Sequence, residues 1–127
     1  DQRAHALQGQ LRWPLDRRVR TSPWRASKAR ALILFAGSEM AVRSAAPGKV
    51  IFAGPQRNGQ VAVTLDHGNG LRTVYRSLGK IEVEVGDTLS SGARLGWSLD
   101  DGRPLRFEVR LKGKSLAPRP WLAPEPG

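Results

Sequence analysis

From residue 31 onward, apolar positions come in short runs that end on turn formers about every ten residues, the spacing of strands in an all-β domain. The run at 31–35 stops at Ala36-Gly37-Ser38, and that at 49–53 stops at Gly54-Pro55. The run at 61–65 stops at Asp66-His67-Gly68-Asn69-Gly70, and that at 71–78 stops at Gly79-Lys80. Further strands are predicted at 81–85, 94–98 and 105–111. Gly68-Asn69-Gly70 predicts a tight hairpin, because Gly and Asn accept positive φ at little cost. Side chains alternate with period two along a strand. Leu105, Phe107, Val109 and Leu111 therefore share one face, with Arg106, Glu108 and Arg110 on the other. The same rule groups Thr73, Tyr75 and Ser77 on one face and Arg72 and Arg76 on the opposite one. It also turns Ile81, Val83 and Val85 to the core and Glu82 and Glu84 to solvent. Phe52 and Phe107 read as core residues.

Residues 1–30 show neither period and carry eight basic groups against Asp1 and Asp16, which is +6 of the chain's +10. With Trp13-Pro14 and Pro23-Trp24 they read as a basic, irregular lead-in packed on the domain. The domain itself is expected at 31–122, followed by a tail at 123–127. There is no initial Met and no segment resembling a signal peptide, so a domain cut from a longer protein is expected.

Composition narrows the chemistry. With 127 residues there is room for one domain with a modest core. No apolar run approaches the roughly 18 positions of a membrane span. The absence of Cys excludes disulfides, thiolate metal sites and a cysteine nucleophile. A net charge of +10 favours anionic partners, yet only 6% of residues are aromatic, too few for the stacking platforms of single-strand binders, and no nucleic-acid partner is expected. Only His5 and His67 could serve as histidine ligands or bases, and they lie far apart in the chain. His67 is expected to bond the backbone of its turn. No phosphate loop, nucleophile elbow or paired-carboxylate constellation is present. On the residues alone, the chain reads as a binding module.

Five blocks then occur in a telling order: Val42-Arg43-Ser44-Ala45-Ala46-Pro47-Gly48-Lys49-Val50 through Gly54, Asp66-His67-Gly68-Asn69-Gly70 through Tyr75, Val85-Gly86-Asp87 with Ser91-Gly92 through Gly96, Arg106-Phe107-Glu108-Val109-Arg110, and Pro118-Arg119-Pro120-Trp121-Leu122. Together they resemble the LytM/lysostaphin-type peptidoglycan endopeptidase domain, and Leu11-Arg12-Trp13-Pro14-Leu15 resembles its entry segment. The resemblance implies a LytM-type antiparallel β domain with a two-sheet groove. In active members, a His-x-x-x-Asp pair and the second histidine of a His-x-His strand hold zinc, and two further histidines assist the attacking water. The resemblance carries the first pair to Ala29 and Ile33, the histidine of the Tyr-x-His-Leu block to Ser77, and the His-x-His pair to Pro104 and Arg106. Arg106 keeps its proton at any working pH and repels a dication.

The resemblance thus implies a degenerate, non-catalytic domain with no metal and no cofactor, of the EnvC-like murein hydrolase activator type. Its implied partner is a zinc-dependent N-acetylmuramoyl-L-alanine amidase, with peptidoglycan a second candidate, and its implied location is periplasmic. Amidase binding is expected in the vacated groove: Tyr75 and Ser77 on one wall, Arg106 and Arg110 on the next, Ile33 and Ala29 as an apolar floor, and Arg103 and Arg57 placed by loop position. Such a groove suits an amphipathic helix carrying acidic residues. The alternatives are a static scaffold, as in sporulation channel proteins, and a peptidoglycan-binding domain that activates nothing.

Overall fold

The computed structural model describes residues 2–22 and 30–126. Among the described residues ten strands follow a short α-helix, α1 (Gln2–His5): β1 (Arg20–Thr21), β2 (Leu32–Phe35), β3 (Ala41–Arg43), β4 (Gly48–Pro55), β5 (Val61–Gly68), β6 (Leu71–Ile81), β7 (Thr88–Leu89), β8 (Arg94–Ser98), β9 (Leu105–Leu111) and β10 (Lys114–Leu116). A 3-10 turn at Arg119–Trp121 closes the chain. The strands pair antiparallel in the order β1-β2-β9-β6-β5-β4-β7, and β10 shares an edge of β9 with β2. The expected two sheets are joined through β6, whose first half pairs with β5 and β9 and whose end pairs with β8, which in turn carries β3.

The core lies under one face of the main sheet. Leu34, Val50, Val63, Leu65, Leu71, Tyr75, Leu105, Phe107 and Val109 are buried there, with Val42, Ala45 and Leu95 closing over them. The lead-in belongs to the same core, since Leu11, Trp13 and Leu15 are buried in it. It is also less irregular than expected: it contains α1, and β1 adds a strand to β2 through Arg20↔Phe35 and Thr21↔Leu34. The tail is tied down as well, with Ala123 donating to the Leu11 carbonyl and accepting the Trp13 indole N–H at 2.6 Å.

Three departures from strict alternation have a common cause, a local break in the ladder. At 81–85 no strand continues past Ile81: Val50 exchanges backbone bonds with Gly86 and Asp87, and the Asp87 carboxylate accepts the Glu84 N–H. The chain curls there, so Val83 is buried while Val85 is 63% exposed. In β4 a bulge at Ile51 shifts the register between Val50 and Phe52. An extra residue reverses every following side chain, so Phe52 faces outward, 38% exposed, instead of entering the core. In β6 a second bulge leaves Ser77 unpaired between Arg76↔Ala62 and Leu78↔Val61, with φ at 63°.

Candidate functional site

The outer face of the main sheet is built by residues directly opposite one another on neighbouring strands, which share a face. One row runs Ile33–Arg106–Arg76–Ala62, the next Glu108–Val74–Thr64–Phe52, and the third Ser115–Arg110–Arg72–Asp66–Lys49. Glu108 stands in the middle of this face and is only 4% exposed. Arg76 Nε donates to its Oε2 at 2.5 Å, Arg106 Nε to the same oxygen at 3.0 Å, and Arg110 Nη2 to Oε1 at 3.0 Å. Arg76 also reaches the Gln56 side-chain oxygen at 2.6 Å. Burial alone pushes the Glu108 carboxyl up, but the three guanidinium hydrogen bonds outweigh it and hold the group below its ordinary range. Beside this cluster lies a cleft of about 370 Å³ lined by Ile51, Phe52, Gln56, Thr64, Arg72, Val74, Arg76 and Arg110.

The expected site residues divide between places. Ile33, Arg106 and Arg110 do share the outer face, with Ile33 half-buried opposite Arg106. Ser77 and Arg103 line a neighbouring cleft of about 290 Å³ with Asn58, Gln60 and Leu78. Pro104 is half-buried and directly precedes β9. Arg57 is exposed on the loop after β4, and Ala29 lies outside the described residues. Tyr75 is a correction: it is wholly buried on the opposite, core face, with its ring 5.4 Å from that of Phe107. It lines no groove wall, and the Ser77 bulge is the reason it does not share a face with Ser77.

His67 is a second correction. Its Nδ1–H donates to the Pro47 carbonyl at 2.8 Å rather than to its own turn, and Nε2 accepts the Thr73 hydroxyl at 2.7 Å. Thr73 in turn accepts the Tyr75 hydroxyl at 2.8 Å, and Tyr75 accepts the Ala45 N–H at 2.9 Å. The chain has one consistent direction and is structural.

Sequence reasoning missed Glu108, Arg76 and Gln56 as members of the site. One signal was there: Arg72 and Arg76 have the same four-residue spacing as Arg106 and Arg110, as two facing rows require. A cleft of about 400 Å³ between lead-in and tail, lined by Arg12, Trp13, Asp16 and Pro124 among others, is different in kind. Its charges are spent internally, with Asp16 paired to both Arg12 and Arg43.

The described residues that the resemblance carries to the ligand positions, Ile33, Ser77, Pro104 and Arg106, offer one hydroxyl and one permanent cation between them, whereas zinc takes imidazole, carboxylate or thiolate. Among the described residues no group of three or more His, Cys, Asp or Glu could hold a metal ion.

The sequence model described as Peptidase family M23 matches residues 27–118. The chain is 31% identical over 120 residues to the murein hydrolase activator EnvC of Escherichia coli, covering 91% of this chain and 25% of that protein. It is 31% identical over 88 residues to stage II sporulation protein Q of Bacillus subtilis, covering 65% of this chain and 31% of the relative. The chain thus spans about a quarter to a third of these relatives' length. Among solved structures, that of a peptidase of the same family number from Pseudomonas aeruginosa superposes with a TM-score of 0.75 at 24% identity, over 96% of this chain and 58% of that one.

Proposed function

This chain belongs to peptidase family M23, and we propose that it acts there without catalysis, as an activator of peptidoglycan N-acetylmuramoyl-L-alanine amidases in cell division and daughter-cell separation. The observation that carries this reading is Arg106. A guanidinium occupies the position that the His-x-His resemblance assigns to a zinc ligand, and it is one of three arginines gathered on a buried carboxylate. A ligand position turned into a cation beside two further arginines is suited to holding an anionic partner rather than to polarising a carbonyl. The likeness to the murein hydrolase activator supports the same reading. The amidase engages the outer face around Ile33, Arg106 and Arg110, with Ser77 and Arg103 at its margin. Binding only the uninhibited form of the amidase raises that form's population by the difference in affinity. The setting is periplasmic.

A second reading is a static scaffold, favoured by the likeness to stage II sporulation protein Q. Dye release from labelled sacculi separates the two: domain alone, amidase alone, and both together. Release only with both supports activation. Release by the domain alone contradicts the loss of catalysis, and no response from any amidase moves the scaffold ahead.

A further inference from the structure

Two cross-strand pairs on the outer face break a local rule. Arg76 stands directly opposite Arg106, and Arg72 directly opposite Arg110. Like charges in that relation destabilise a sheet. Local conflicts of this kind collect at functional sites. Only Glu108 stands between the two pairs, itself opposite Val74. Four cations around one carboxylate leave this patch at +3.

We propose that Glu108 is the specificity-determining positioning residue of this face, turning Arg106 and Arg110 into a two-pronged receptor for a pair of carboxylates on an acidic peptide segment. The inference rests on the reading that this face receives a partner protein, and it names the chemistry that the partner must bring. Glu108 takes one donor from each of three guanidiniums that have five N–H groups apiece. Arg106 and Arg110 remain 48% and 38% exposed at their side chains, so guanidinium donors not spent on Glu108 are open to solvent. Arg110 Nε is buried and has no partner among the described residues, so its Nη atoms are the ones open to a ligand. Both guanidiniums are anchored 3.0 Å from opposite oxygens of one carboxylate, which holds them close together. Carboxylates one helical turn apart, with Cβ atoms about 5–6 Å apart, match that arrangement. A peptide rather than a glycan is the fitting occupant, because Ile33 on one side and the exposed Phe52 on the other give apolar side chains somewhere to pack. Pre-set arginines lose little freedom on binding, which is where the affinity comes from.

The test turns on a sign. Glu108→Gln adds one positive charge to the patch while releasing the arginines. Simple attraction predicts tighter binding of an acidic ligand; positioning predicts weaker binding. The probe is a synthetic amphipathic helical peptide with two glutamates four residues apart, compared with its glutamine counterpart and with soluble peptidoglycan fragments. The expected result is that the native domain prefers the glutamate peptide. Glu108→Gln should then weaken it about fivefold or more, as misaligned charge-assisted bonds would, and lose the preference. Glu108→Asp, which keeps the charge but shortens the reach, should be folded and intermediate, and it carries the test if Glu108→Gln does not fold. Tighter or unchanged binding by the variants, equal binding of the glutamine peptide, or stronger binding of the fragments overturns the proposal. Amidase stimulation without any glutamate preference overturns this inference and leaves the proposed function standing; the preference without stimulation does the reverse.

Discussion

The hydroxyl of Tyr75 accepts the backbone N–H of Ala45 at 2.9 Å, which ties the centre of the sheet to the segment that closes over the core. Ala45 is buried, so its N–H has no water to turn to. Burial pushes the Tyr75 hydroxyl up to about 12, so it stays a protonated donor to Thr73 at any working pH. Tyr75→Phe keeps the ring against Phe107 but leaves the buried Ala45 N–H without an acceptor and removes one of the two hydrogen bonds of the Thr73 hydroxyl. It should cost about 1–3 kcal/mol in denaturant unfolding. Partner binding by the folded fraction should be unaltered, because the side chain is wholly buried on the core face. Loss of binding at unchanged stability would return Tyr75 to the groove.

The far end of the same chain of hydrogen bonds titrates. Burial holds His67 below its ordinary 6.5, against the opposing effects of the Pro47 carbonyl and Asp66. Protonating Nε2 would turn the Thr73 hydroxyl toward Tyr75 and leave the Tyr75 proton without an acceptor. Below pH 6.5 the unfolded chain takes up a proton that the folded chain refuses, so the stability is complete above that value and declines as pH falls toward the folded value. Denaturant midpoints should therefore drop on acidification before the carboxylates titrate, and His67→Gln should flatten that part of the curve. An unchanged slope in the variant would mean that another group is responsible.

Strand positions were legible where the ladder is regular. Residues 94–98 and 105–111 were placed to the residue, and the Gly68-Asn69-Gly70 turn joins β5 to β6 with all three residues at positive φ. Faces were lost at the bulges. Nothing in the residue types announces the extra residue at Ile51 or Ser77, because a bulge is set by how two strands meet, and one slip reverses all that follows. That is why Phe52 was assigned to the core and Tyr75 to the groove. The pairs β3–β8 and β9–β10 match three residues each, because β3 and β10 are three-residue strands, too brief to show a period. Glu108 was placed on the correct face of its strand, but alternation does not tell a solvated carboxylate from one buried under three arginines.

Gly96 tests the join between the two parts of the sheet. It lies between Val42 of β3 and Ile81 of β6, and a Cβ built there would stand 2.0 Å from the Lys80 carbonyl oxygen, a backbone atom. Gly96→Ala should therefore force the strands apart and cost about 1–3 kcal/mol or more. Gly37→Ala is the control: its backbone, φ +78°, disfavours a side chain where that of Gly96 does not, but nothing lies within 4 Å of the added carbon. Unfolding of the two variants side by side should show the larger loss at Gly96; equal losses would mean that space at the β6–β8 contact is not limiting.

Arg106 calls for a graded series rather than one reversal. From sequence it reads as a groove-wall charge, whose reversal alone would leave the thermal melt nearly unchanged, but its guanidinium is bonded to buried Glu108. In Arg106→Ala, Arg76 and Arg110 still neutralise that carboxylate, so the cost should stay within about 1 kcal/mol, the value of a half-exposed ion pair. Arg106→Glu places a second carboxylate beside Glu108, and some loss of melting temperature is expected. Amidase stimulation should fall in both variants, and in Arg106→Ala it should fall while the thermal melt scarcely moves. Arg106→Lys keeps the charge but lacks the planar fork, so it should restore stability more fully than stimulation. Stimulation that tracks melting temperature across all three variants would make Arg106 a structural residue and remove it from the interface.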